Sequence, residues 1–126
     1  MPPDPLGILL ISAGHERAHY AFMLAAGAAA MGRAVIVFAT NAGCPAVARD
    51  WSSMADAGRD VDVRHAGVAG LDELRAAAQE LGVRLMACDS GLRMAAVAPG
   101  SLLPGVEASG IPAFLSAVGA GQIVSL

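Results

Sequence analysis

Val83-Arg84-Leu85-Met86-Ala87-Cys88-Asp89-Ser90-Gly91-Leu92 reads as a buried strand running straight into the start of a helix. Val83 to Ala87 is a short, mostly apolar run bounded by Gly82 and by Asp89-Ser90-Gly91, the pattern of a strand covered by protein. Cys88 therefore stands where a strand stops. A thiol there meets the positive end of a helix beginning at Asp89 or Ser90, together with its unpaired backbone N–H groups. Both favour thiolate over thiol. The plainer reading of a single free cysteine is a small hydrophobe that closes a strand.

Upstream, Leu71 to Leu81 places Leu71, Leu74, Ala78 and Leu81 on one helical face, and Gly82 stops that helix. Leu6 to Ile11 is apolar on both faces, as befits a central strand of a parallel sheet. Ser12-Ala13-Gly14 turns the chain into a helix over His15 to Met31, and Ala34 to Ala39 is a second doubly buried strand. Thr40 to Pro45 reads as a turn-rich loop and Ala46 to Ala57 as a helix carrying Trp51, the only tryptophan. Arg59 to Ala66 alternates weakly through Val61 and Val63, which predicts a strand or an extended connector.

Downstream, a short helix is expected over Gly91 to Val97 and loops at Pro99-Gly100 and Pro104-Gly105. Ile111 to Val118 reads as a helix that tolerates Pro112 in its first turn, and Gln122 to Leu126 as a last strand. This alternation predicts one α/β domain spanning residues 1–126. Its architecture is a three-layer α/β/α sandwich around a mainly parallel sheet of about five strands.

A chain of 126 residues has room for one core. Its eight basic residues are all arginines and its formal charge is −3, so it lacks the basic patch that neutralises a phosphate backbone, and no nucleic-acid partner is expected. Two cysteines make no disulfide framework, and no secretory signal is recognisable near Met1 to Pro5, a rigid polar lead-in. A cytoplasmic location with reduced thiols is the resulting expectation. Tyr20 to Ala39 carries a single charge, Arg33. An arginine mid-span costs about 2.5–3.5 kcal/mol on insertion scales, and Gly32-Arg33 looks like a helix end, so no membrane span is expected.

Sites in open parallel sheets gather outside the carboxyl ends of the strands. That edge is predicted to collect Ser12, Gly14, Asn41, Asp89, Ser90 and Gly91 around Cys88. Cys44 falls in a loop on the same edge and is a candidate resolving thiol if the two cysteines approach. His15-Glu16-Arg17-Ala18-His19 matches the HExxH pattern, in which two histidines one turn apart bind zinc and the glutamate activates water. Zincins carry that motif in a larger domain with a further ligand, so a peptidase is not expected. A metal ion held by His15 and His19 is the competing reading. The glycines around Gly14 form neither a GxGxxG nor a Walker loop.

The block from Leu81 to Met94, then Leu103-Pro104-Gly105-Val106-Glu107, Gly110 to Leu115 and Gly121 to Leu126, resembles the DsrE/DsrF-like family. It is most similar to the DsrE-like branch labelled peroxiredoxin-like or sulfur-carrier. The first third agrees, through the helix ending Ala29-Ala30-Met31-Gly32 and the strand ending Val37-Phe38-Ala39-Thr40. The chain departs from that branch at Asn41 to Pro45, where an aromatic-glycine pair is usual. The resemblance implies a small sulfur-handling protein or sulfurtransferase whose Cys88 takes sulfane sulfur as a persulfide. Its partners would be donor and acceptor proteins or low-molecular-weight thiols. It also implies a homo-oligomer, a trimer or hexamer, and no cofactor. Beside this stands a non-enzymatic binding or assembly subunit in which Cys88 is structural.

Overall fold

The computed structural model describes residues 3–126; Met1 and Pro2 of the expected lead-in lie outside them. Five strands, β1 (Leu6–Leu10), β2 (Val35–Ala39), β3 (Arg84–Cys88), β4 (Glu107–Ser109) and β5 (Gln122–Ser125), form one all-parallel sheet in the order β4-β3-β2-β1-β5. The chain steps outward from β1 to β4 and then returns to place β5 on the other side of β1. Helices are α1 (His15–Ala30), α2 (Arg59–His65), α3 (Leu71–Glu80), α4 (Asp89–Met94) and α5 (Ile111–Val118).

Alternation along the strands divides the core. Leu6, Ile8, Leu10, Val35, Val37, Ala39, Leu85 and Ala87 face α1 and α3, where they bury with Phe22, Leu71 and Leu74. Ile36, Phe38, Met86 and Cys88 face the opposite way and pack under Phe114 and Val118 of α5. The sheet is thus covered on both faces, as a three-layer α/β/α domain requires. Gly7 makes the α5 contact close, since a β-carbon there would lie 2.5 Å from Val118 Cγ2.

Three local expectations are corrected. Residues 46–57 form no α-helix; a 3₁₀ helix spans Asn41–Val47 and irregular turns follow. The carbonyls a helix would use are taken elsewhere, because the buried Arg75 guanidinium of α3 donates to the Ala46, Ala48 and Arg49 carbonyls, and Ala48 bridges to Leu102. Residues 59–65 are helical rather than extended, with Asp60 and Val63 turned inward at helical spacing and Val61 outward. The fifth strand is instead Glu107–Ser109. The helix after Cys88 begins at Asp89, one of the two starts expected from the strand end, and stops at Met94 rather than Val97.

Candidate functional site

Cys88 is the last residue of β3 and the N-cap of α4. Even alternation puts Arg84, Met86 and Cys88 on one face, and Thr40, two residues beyond Phe38, emerges beside Cys88 from the end of β2. The Ser90 hydroxyl lies 3.2 Å from Cys88 Sγ. Gly91 lets α4 press against the end of β2: a β-carbon on it would stand 2.5 Å from the Asn41 amide nitrogen and 2.6 Å from Thr40 Oγ1. Asn41 turns away from the strand through a left-handed φ of 50°, a conformation that asparagine tolerates.

The electrostatics of the thiol follow from these neighbours. Burial raises the proton affinity of Cys88, but hydrogen bonds from the Ser90 and Thr40 hydroxyls and from the Gly91 and Ser90 backbone amides outweigh it. The thiol is held below its usual range. Cys88 remains 8% exposed, enough for a small reagent and little more. A thiol whose charged form is favoured in this way is more nucleophilic at neutral pH than an unassisted one.

Of the residues expected to line the site, Ser90 and Gly91 supply donors, Asn41 packs against Gly91, and Asp89 is exposed in the first turn of α4. Ser12 and Gly14 lie beyond the end of β1, two strands from β3 and so roughly 10 Å away across the sheet. Cys44 is fully buried in the core on the α1–α3 face, its Sγ 3.8 Å from the Ala39 carbonyl, whereas Cys88 faces α5. Both are free thiols. Burial and the nearby Cys88 charge push the Cys44 thiol up to about 11, a state suited to packing rather than attack.

His15 and His19 stack with ring centroids 5.5 Å apart, and both His15 nitrogens and His19 Nε2 bond within the scaffold. Arg59 donates to His15 Nδ1 at 3.3 Å, which leaves Nε2–H to donate to Asp60 Oδ1 at 2.8 Å. His19 Nε2 donates to the Ala69 carbonyl at 2.8 Å. Asp60 Oδ1 also accepts from the Leu71 backbone at 2.8 Å, so one carboxylate ties α1 and α2 to the first turn of α3. Among the described residues no three His, Cys, Asp or Glu side chains gather as a metal-binding group. Two concavities, of about 500 and 410 Å³, flank Tyr20 and Met23 of α1, away from Cys88.

Thr40 heads the loop expected at this edge, whereas Ser109, the ladder partner of Cys88, lies outside every expected site region. Thr40 was detectable from the two-residue period that places it with Phe38. Ser109 was not, because a strand as short as Glu-Ala-Ser carries no apolar signal.

An all-parallel, five-stranded sheet covered by helices on both faces, with a cysteine at the carboxyl edge of its third strand, defines a small three-layer α/β domain. The chain belongs to the DsrE/DsrF-like family, whose model matches residues 6–124. Among solved structures it is similar to the ychN protein from E. coli, at TM-score 0.70, 14% identity and 100% coverage of both chains. It is also similar to MTH1491, a protein of unknown function from Methanobacterium thermoautotrophicum, at TM-score 0.66 and 17% identity, covering 98% of this chain and 99% of that one. These likenesses establish the fold. No curated protein matches the chain.

Proposed function

We propose that the protein is a sulfur carrier: Cys88 accepts sulfane sulfur as a persulfide and passes it to another thiol. The observation that carries this reading is the set of hydrogen bonds that outweighs burial and favours the Cys88 thiolate. Membership in the DsrE/DsrF-like family, which is generally tied to sulfur relay, supports it. In the loading step the Cys88 thiolate attacks the outer sulfur of a perthiol, R–S–S–H. The donor S–S bond breaks, an S–S bond forms on Cys88, and R–S⁻ leaves with the electron pair. Attack by an acceptor thiolate on the outer sulfur reverses the exchange, so neither oxidant nor cofactor is required. Donor and acceptor are protein or low-molecular-weight thiols in the cytoplasm.

The reading extends to a homo-oligomer, a trimer or hexamer. It is supported by Ile11, Ile111, Leu115 and Ile123, which remain exposed around the single helix α5. Among the described residues no helix is long and apolar enough to cross a membrane.

Intact-mass and peptide mass spectrometry after exposure to inorganic polysulfide tests the proposal. A reductant-labile gain of one or more sulfur atoms, lost in Cys88→Ser and retained in Cys44→Ser, is expected. Absence of an adduct on folded protein would overturn it. That outcome, together with inertness of Cys88 to alkylation, would favour an assembly subunit in which Cys88 only packs against Phe38 and Phe114.

A further inference from the structure

Ser109 is the direct partner of Cys88 in the β3–β4 ladder. Residues paired in a parallel ladder project to the same face from strands about 4.8 Å apart. The register is locked two residues upstream, where Met86 pairs with Glu107 and the Glu107 carboxylate accepts from Arg84 at 2.7 Å. A slip of one residue would turn Ser109 to the other face and break that ion pair. The Ser109 hydroxyl oxygen is buried and has no hydrogen-bond partner among the described residues. Buried hydroxyls are ordinarily paired, because leaving one unpaired carries a desolvation cost.

The donors around Cys88 Sγ are the Ser90 and Thr40 hydroxyls and the Ser90 and Gly91 amides, with Ser109 absent from that set. A persulfide adds a second sulfur about 2.05 Å beyond Sγ. In its deprotonated form this outer sulfur carries the negative charge, and the donors grouped on Sγ were arranged for a charge one bond closer in. We infer that the Ser109 hydroxyl is the donor for the outer sulfur of a Cys88 persulfide. The inference rests on the sulfur-carrier reading above and deepens it: Ser109 is unpaired in the resting protein because its partner arrives with the cargo. It therefore favours the loaded state without activating the empty thiol.

The test is the exchange Cys88–S⁻ + G–S–S–H → Cys88–S–S–H + G–S⁻, where G–S–S–H is glutathione persulfide in a large excess of glutathione. Loaded and empty protein are counted by intact mass. Ser109→Ala is expected to lower the loaded-to-empty ratio about tenfold, the worth of one hydrogen bond to a charged group. Ser109→Thr, which keeps the hydroxyl, restores it. The pH profile of Cys88 alkylation in the empty protein and the thermal midpoint stay as in the wild type, or the midpoint rises, since the hydroxyl bonds nothing there. Loading of Ser109→Ala equal to wild type overturns the inference and leaves the carrier reading standing. A shifted alkylation profile or a fallen midpoint overturns it too, because either shows a structural role. If the wild type takes up no sulfur, both readings fall together.

Discussion

Gly91 and Asn41 are in backbone contact: a β-carbon on Gly91 would lie 2.5 Å from the Asn41 nitrogen and 2.6 Å from the Thr40 hydroxyl oxygen. Backbone does not yield as a flexible side chain does, so Gly91→Ala must push α4 away from the end of β2. The Thr40 hydroxyl and the α4 amides then lose their positions on Cys88 Sγ. The expected outcome is a loss of about 1–3 kcal/mol in urea unfolding and a Cys88 alkylation profile moved to higher pH. An unchanged profile would show that the approach of α4 to β2 does not set the thiol.

Ser90→Ala isolates one donor without moving the backbone. Hydrogen bonding holds the Cys88 thiol below its usual range against the opposing effect of burial. Removing a donor that favours the charged form raises that value, so less thiolate is present at neutral pH and alkylation slows. A hydrogen bond worth about 1 kcal/mol corresponds to a rate about fivefold lower at pH 7, with convergence at high pH where both proteins are thiolate. Iodoacetamide kinetics read Cys88 cleanly, because Cys44 is fully buried and its thiol titrates only at about 11.

Asp60 accepts from both His15 and Leu71 through one oxygen, so the first histidine of the HExxH run is tied to the carboxylate that also caps α3. Burial opposes its ionisation, yet the Leu71 amide, His15 and Arg64 together hold the carboxyl below the usual range. A depressed folded value means that its stabilisation is present above the unfolded value near 4 and is lost as pH falls through the folded one. Asp60→Ala is expected to cost roughly 1–3 kcal/mol at pH 7, by leaving the Leu71 amide and His15 unpaired. The gap to wild type should narrow below about pH 4 in urea titrations. A gap independent of pH would show that the charge of Asp60 contributes nothing.

The long elements were legible because one physical signal dominates each of them. Ile8 and Val37 sit in runs apolar on both faces, and Leu71, Leu74 and Ala78 repeat at helical spacing; these runs became β1, β2 and α3 with boundaries shifted by one residue or none at all. Cys88 at a strand end was readable for the same reason. The middle of the chain was not, since residues 46–49 are held by Arg75, which reaches in from α3, and Ala55 by the backbone of Ala13 and His15. No local pattern reports a distant guanidinium. Val61 and Val63 suggested a strand, while the inward residues are Asp60 and Val63, and a buried aspartate is recognised only once His15 is found beside it. The site divides likewise: Ser90 and Gly91 adjoin Cys88 in sequence, whereas Thr40 and Ser109 reach it only through strand pairing.

Gly7 decides how tightly α5 covers the Cys88 face. A β-carbon on it would stand 2.5 Å from Val118 Cγ2 and 2.9 Å from Phe114 Cζ, and both side chains are fully buried in the cluster that includes Cys88. Gly7→Ala must lift α5 or strain its side chains, at about 1–3 kcal/mol of stability. Lifting Phe114 also removes part of the burial that raises the Cys88 proton affinity, while the Ser90 hydroxyl and the Ser90 and Gly91 amides belong to α4 and stay in place. Access and thiolate fraction then change in the same direction, so Cys88 alkylation at pH 7 is expected to accelerate even as the unfolding midpoint falls. Gly27→Ala serves as the comparison: a β-carbon there meets nothing within 4 Å, and a helix-interior glycine replaced by alanine should gain about 0.5–1 kcal/mol with Cys88 unchanged. Slower alkylation in Gly7→Ala would mean that α5 holds the thiolate environment together rather than merely covering it.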